Sequence, residues 1–346
     1  MMNISVPYYE DLTRISNSNI GWFLQKGPAY LHKMLTDPPP EEKNPVLERG
    51  TMIHEFILQP EEFQKDYVIW DKSRPSSAQQ EKFCQALASS LEIEPNRAIL
   101  SAYKQAYSTA GRSEDKMLSE GLKIASTLKE YIDFLKSDDK RIMISHWDYK
   151  MLDTIKQNIK SHKLAWWIID APMRAAELTD LEAHHEFHIN WWFTTREIKE
   201  VQDGLLTYPV RVQCKSLLDG LTLDFKNKKA TIYDLKTTAK LWHFEDSIDM
   251  YDYCRQLAYY TMAVKWYLSV ECEEDSEKWE FKYYIIGIDT TGSYEIRVFK
   301  VEPYMVESRY SIIQSALTEI AWHQTNNKWD HSREYYEGDG SESLNL

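Results

Sequence analysis

Two short segments hold the residue types best suited to chemistry. Leu218-Asp219-Gly220 is followed at a distance by Tyr233-Asp234-Leu235-Lys236-Thr237-Thr238. Side chains alternate across a strand, so Asp234 and Lys236 share a face if this segment is extended. Asp219 lies near the end of the preceding β segment, and a hairpin between the two brings its carboxylate beside Asp234. Converging carboxylates are a seat for Mg²⁺, a hard cation that prefers oxygen ligands. A lysine beside them can hold a water or stabilise charge developing on a phosphate. Phosphodiester hydrolysis needs both functions. Alone, Asp-x-Lys is a weak signal, and the plain alternative is a surface ion pair at a strand end.

Other residues join this candidate with open alternatives. Gly50, His54 and Leu58 share one helical face at four-residue spacing. His54 is either a neutral imidazole ligand or a buried, hydrogen-bonded histidine. Gln256 and Tyr260 share a face of a later helix, as part of a site or as the polar edge of an amphipathic helix; Tyr259 beside them packs in the core. Glu186 begins the strand EFHINWW, where its carboxylate reaches a metal directly, reaches it through water, or faces solvent. Lys215, two alternations before Asp219, faces the same side and either touches phosphate or is solvated. With Lys236 and Lys240 it could neutralise DNA near the site; Arg174, Arg196, Arg211 and Lys226 are further candidates. Trp191, Trp192 and Trp242 either stack on unpaired bases or fill the core. His184, His185 and His188 lack matching carboxylate spacing, and alternation separates His184 from His185, so they read as ordinary surface or core residues.

The elements that must position these groups follow from pattern. Ser16 or Ser18 caps a helix through IGWFLQKGPAYLHKML, interrupted near Gly27-Pro28. The prolines of TDPPPEEKNP forbid regular structure there. LERGTMIHEFILQPEEF gives a short helix ended by Pro60. Residues from about 71 to 170 show apolar positions three and four apart and read as a helical insertion. EFHINWWFTTREI, YPVRVQCKSLLDGLTLDF and KATIYDLKTT are β-rich. A helix follows at YDYCRQLAYYTMAVKWYL, two strands at EFKYYIIGID and SYEIRVFKVE, and a final helix after Pro303. This order suggests an α/β (α+β) fold with a central mixed sheet flanked by helices. The expected organisation is one domain over residues 1–325, with a polar, partly disordered tail at 326–346.

Composition sets limits. The chain has 346 residues, 43% hydrophobic and 27% charged, which is globular rather than disordered. Its net charge of -13 argues against a simple nucleic-acid binder and requires any basic DNA-facing surface to be local. The four cysteines form no C-x-x-C pair, which disfavours an iron–sulfur cluster. Free thiols, an opening without a basic-then-apolar leader, and the lack of a long apolar run lead us to expect a cytoplasmic protein with no membrane association. No Walker-type phosphate loop occurs.

Taken together, the motifs resemble the RecE-like (exodeoxyribonuclease VIII-type) branch of the PD-(D/E)xK nuclease superfamily. The matching segments fall in family order: ISNSNIGWFLQKGPAYLHKML, ERGTMIHEFILQPEEF, SHKLAWWII, CKSLLDG, IYDLKTT and RQLAYY, over roughly residues 12 to 270. The resemblance implies a restriction-endonuclease-like core. It implies metal ligation by His54, Asp219, Asp234 and the Leu235 backbone carbonyl, with Lys236 as catalytic lysine. Gln256 and Tyr260 would contact the DNA backbone or its water network. It further implies Mg²⁺, with Mn²⁺ able to substitute, and 5′→3′ digestion of linear duplex DNA in phage-type recombination. A ring-shaped homo-oligomer and a single-strand annealing protein partner follow from the same source, as does a bacterial or phage-infected cell. Asp stands at the second acidic position, where Glu is frequent. A structure-specific endonuclease and a non-catalytic DNA-binding or assembly component are the alternatives.

Overall fold

A computed structural model describes residues 6–40, 44–176, 180–201 and 204–342; the side chains of 199–205 lie outside that description, as does the end of the tail, 343–346. The chain divides into two compact units, residues 1–59 with 153–346, and residues 60–152.

The first unit opens with α1 (Asn17–Thr36) and α2 (Pro45–Leu58). Ser16 caps α1 in a reciprocal box with Asn19, and Gly27 (φ 80°) kinks it before Pro28, as the sequence leads one to expect. Asn44 caps α2 from its side chain, with Pro45 in the first turn.

The second unit contains α3 (Pro60–Asp66), β1 (Tyr67–Trp70), α4 (Ala78–Ala88), α5 (Pro95–Ala106), α6 (Glu114–Thr127), α7 (Lys129–Lys136) and β2 (Ile142–Ser145). Phe83, Ile99, Tyr103 and Met117 are in its core. Its two strands pair in parallel; β2 departs from the helical reading of residues 71–170, and β1 lies just before that stretch. At four residues each, they are too short for alternation to reveal.

α8 (His146–Ser161) leads back to the first unit, followed by α9 (Lys163–Ala176). The main sheet then runs through β3 (Leu181–Val201), β4 (Gly204–Asp224), β5 (Lys229–Thr238), β6 (Glu280–Asp289) and β7 (Ile296–Val301), in that spatial order. All pairings are antiparallel except β5 with β6. That parallel pair requires a crossover. It is made by α10 (Phe244–Met250) and α11 (Tyr253–Val270). α12 (Pro303–Glu307), α13 (Tyr310–Asn326) and α14 (Arg333–Glu337) complete the chain. The final helix expected after Pro303 is thus split at Ser308-Arg309. The result is a mixed α/β architecture, a five-stranded mixed sheet with helices packed on it. Its core holds Leu221, Leu223, Ile232 and Ile285 from the sheet with Leu257, Tyr259 and Val264 from α11. Among the described residues no helix is long and apolar enough to cross a membrane.

The edge of β4 changes partner along its length. Its pairing with β5 covers only Gly220–Asp224, so the two strands part at Asp219. Beyond that point the N-terminal segment lies along β4. Ile15 N–H donates to the Gln213 carbonyl and Lys215 N–H to that of Ile15, both at 2.9 Å. The Lys215 ammonium, expected near phosphate or in solvent, is instead buried at 6% exposure. It donates to the backbone carbonyls of Tyr8 (2.5 Å) and Asp11 (2.6 Å) and lies 4.5 Å from the Tyr8 ring centroid. Burial pulls its pKa below the ordinary lysine value. Alternation along β4 gives the face of this side chain but not its cover, which comes from a segment 207 positions away. Lys215→Met keeps the stem and removes the donor. We expect faster protease nicking within residues 7–14 with little change in the sheet; nicking at the wild-type rate would show that Lys215 does not hold the segment.

Candidate active site

The site forms where β4 and β5 part. Leu235 lies in the stretch of β5 that no longer pairs with β4, and its backbone N–H donates to Asp219 Oδ2 at 2.6 Å. The Asp219 side chain therefore occupies the opened gap and satisfies a donor that would otherwise be orphaned. Its neighbour Gly220 sits opposite Tyr233, and a Cβ there would come within 1.9 Å of the Tyr233 ring. A glycine is required because the fully buried tyrosine ring lies across it. Gly220→Ala is expected to destabilise the protein by about 1–3 kcal/mol, the usual range for overpacking. A thermal melt checks this, and an unchanged midpoint would show that the ring moves aside freely.

β3 contributes Glu186. The β3–β4 register pairs His185 with Gly220 and Phe187 with Leu218, leaving Glu186 directly across from Asp219 without a regular pair. Glu186 has φ 48°, a left-handed conformation that a non-glycine residue holds at a cost of about 1 kcal/mol or more. The side chain it aims joins His54 and Asp219, and one ligand atom from each lies within 4.8 Å of the others. His54 arrives on α2. Gly50, one turn earlier, brings that helix so near β5 that a Cβ would lie 3.1 Å from Thr237 Oγ1. The His185 ring lies between the carbonyls of Leu58 (3.1 Å) and Ile169 (3.3 Å), fastening the end of α2 and α9 to β3. His54 Nδ1 is 3.7 Å from Asp219 Oδ2 and the ring is hydrogen-bonded to the Leu235 backbone. This brings Leu235, expected to offer its carbonyl, alongside the trio.

Asp234 and Lys236 flank it. Lys236 Nζ forms an ion pair with Asp234 Oδ2 and lies 5.1 Å from the Tyr253 ring centroid. Gln256, in the first turn of α11, donates from Nε2 to Asp234 Oδ1 (2.9 Å) and to the Tyr260 hydroxyl (2.7 Å). Asp234 is thus held by Lys236 and Gln256 rather than standing in the close trio, where Glu186 is found instead. Tyr259 is wholly buried and donates to the Ile15 carbonyl at 2.5 Å. Lys240 is exposed just beyond β5, outside the cluster. Trp191 is buried, donating to Ser216 Oγ at 3.1 Å, and Trp192 packs against Trp266. Trp242 is 74% exposed beneath Arg297.

The electrostatics are those of crowded, buried carboxylates. Burial, then the Asp219, Asp234 and Glu55 carboxylates, push Glu186 up to about 8. Burial raises Asp219 against the opposing pull of Lys236. Asp234 is pushed up to about 6 by burial and by Asp219, again opposed by Lys236. Burial pulls Lys236 down, but Asp234 and Asp219 outweigh it and hold the ammonium above its ordinary value. His54 is driven down to about 4 by burial and by Lys236, so its imidazole is neutral near pH 7 and keeps a free lone pair. Two acidic groups whose charged forms burial disfavours lie within mutual reach of a neutral imidazole, a donor set that fits a divalent cation.

Glu186 is the residue that sequence reasoning undervalues. Its signal is parity: it stands across the hairpin from Asp219. The left-handed kink that turns it inward leaves no trace in composition.

No protein-family model matches the sequence, and no curated protein matches it. Among solved structures, the chain is similar to a protein of Eubacterium rectale named only provisionally as an exonuclease. The two share 12% identity at a TM-score of 0.46, over 96% of this chain and 91% of that one. A likeness at this level assigns no activity.

Proposed function

We propose that this chain is a divalent-metal-dependent deoxyribonuclease of the PD-(D/E)xK type. The observation that carries the reading is the meeting of His54, Glu186 and Asp219 with the Asp234–Lys236 pair at the parting of β4 and β5. His54, Glu186 and Asp219 would hold the cation, with Asp234 and the Leu235 carbonyl as neighbouring donors. When bound, the cation supplies positive charge that stabilises the phosphorane-like transition state and favours deprotonation of the attacking water. Mg²⁺ suits the carboxylates, and the imidazole makes Mn²⁺ an able substitute.

The remaining work falls to the chain. Lys236 stays charged beside two carboxylates and presents donors toward the place where phosphate charge develops. Asp234 fixes that ammonium, Gln256 fixes Asp234, and the Tyr260 hydroxyl, buried and poor at ionising, accepts from Gln256 and holds it in place. Through the RecE resemblance the proposal extends to 5′→3′ digestion of linear duplex ends in phage-type recombination, in the cytoplasm. A ring-forming homo-oligomer and an annealing-protein partner belong to the same extension.

The test is digestion of linear and closed circular duplex DNA with Mg²⁺, with a chelator control. Loss of the linear form alone supports an end-dependent exonuclease. Cutting of the circle selects the endonuclease reading, and no cutting of either selects a non-catalytic DNA-binding component.

A further inference from the structure

The N-terminal segment runs beside the acidic site and carries an exposed aromatic ring, Tyr9. His188 and Asn190 on β3 pair with Leu217 and Lys215 on β4, next to the unpaired crossing of Glu186 and Asp219. Tyr8 sits on this surface, its ring 5.3 Å from His188 in an edge contact and 4.5 Å from the Lys215 ammonium. Its backbone carbonyl is held by that ammonium. The Tyr9 ring stands at 90° to Tyr8, 5.2 Å away, and is 81% exposed. Tyr8 packs against His188, two residues along β3 from Glu186, so the Tyr9 ring beside it stands near the site while its surface remains open to solvent.

A large exposed aromatic on an anchored segment requires an account. The segment is not a loose tail: Lys215 holds two of its carbonyls, and Asp11 Oδ1 accepts from Thr13 N–H at 2.9 Å. Tyr8 supports the second ring from below. We propose that Tyr9 is a stacking platform for an unpaired nucleobase of the strand whose backbone enters the site, with Lys215 and Tyr8 positioning it. The proposal rests on the nuclease reading and adds a binding subsite to it. It also answers the charge problem. Lys215 is withdrawn into the fold and Arg14 is paired with Asp11, so both of these cations on the segment's side of the site are engaged within the protein. Stacking supplies affinity that needs no positive charge, because every base has a π face.

The experiment measures binding by fluorescence anisotropy. The probe is a duplex of about 15 base pairs with an overhang of about four nucleotides, of either polarity, long enough to present an unpaired base. Ca²⁺ replaces Mg²⁺ to suppress cleavage. Tyr9→Ala is expected to weaken binding about tenfold, within the range of a lost base–aromatic stack. Tyr9→Phe keeps the face and is expected to stay within about twofold of wild type. An abasic nucleotide at the stacked position should cost the wild type about the same factor as Tyr9→Ala and cost Tyr9→Ala nothing further. The salt dependence should keep its slope in all three proteins, because no phosphate contact is removed. Unchanged binding by Tyr9→Ala, or an abasic penalty that persists in it, overturns the platform while leaving the nuclease reading intact if the wild type cuts DNA. A wild type that neither binds nor cuts any of these substrates overturns both.

Discussion

Lys236→Ala is expected to reduce DNA cleavage by about a thousandfold or more while the protein remains folded. Removing one preorganised donor from a site of developing charge costs about 10²–10³ in rate. Lys236 stands higher than that, because it is the cation paired with Asp234 and also opposes the charge of Asp219 and Glu186. Folding survives because the carboxylate left behind has a second partner in Gln256 and, being buried, can take up a proton. Lys236→Arg should not rescue the rate, since a planar fork does not replace a compact ammonium in a pocket this tightly lined. Rates of linear duplex loss with Mg²⁺, with circular dichroism of each variant, decide the matter. Folded Lys236→Ala that cuts within about tenfold of wild type would remove Lys236 from the chemistry.

The second large effect concerns the cation. Mn²⁺ should raise the melting temperature of the wild type, because a ligand that binds only the folded state adds about 2.7 kcal/mol at roughly one hundred times its dissociation constant. For a chain of 346 residues that corresponds to about 4 °C. Asp219→Asn should abolish the rise. Asparagine still offers an oxygen to the Leu235 N–H, so the local backbone contact is kept. The metal-free variant should melt above the metal-free wild type, because a carboxylate whose charged form burial disfavours is gone. Melting curves with and without Mn²⁺ read both effects. A wild type indifferent to millimolar Mn²⁺ would show that the His54, Glu186 and Asp219 trio is not a metal centre.

Much of this arrangement is legible in the sequence. Strand alternation places Asp234 beside Lys236, and the β4–β5 hairpin brings Asp219 next to them. Four-residue helical spacing puts Gly50 and His54 on one face, and Gln256 and Tyr260 on another; in each case the pair works as a unit. These are local periodicities, and sequence reports them well. What sequence does not report is non-local or conformational. Glu186 turns inward through a backbone angle that composition does not disclose. Lys215 is consumed by carbonyls of residues more than two hundred positions away, and Tyr9 gains its place through the segment that this lysine helps to hold. The β1–β2 pair also escapes, being short and joined across most of the second unit.

The parting of β4 from β5 has a consequence for how the site assembles in time. Asp219 and Leu235 are sixteen positions apart and meet by closure of one hairpin, which is a fast local event. His54 and the Tyr8 segment must arrive across well over a hundred residues, and such closures are slow. The contact of Asp219 with the Leu235 backbone is therefore expected to form before the imidazole and the aromatic arm arrive. During synthesis the arm and α2 emerge first and wait for the strand that receives them. A ribosome-bound chain that stops short of β5 carries every residue of the N-terminal half of the site and neither member of the Asp234–Lys236 pair.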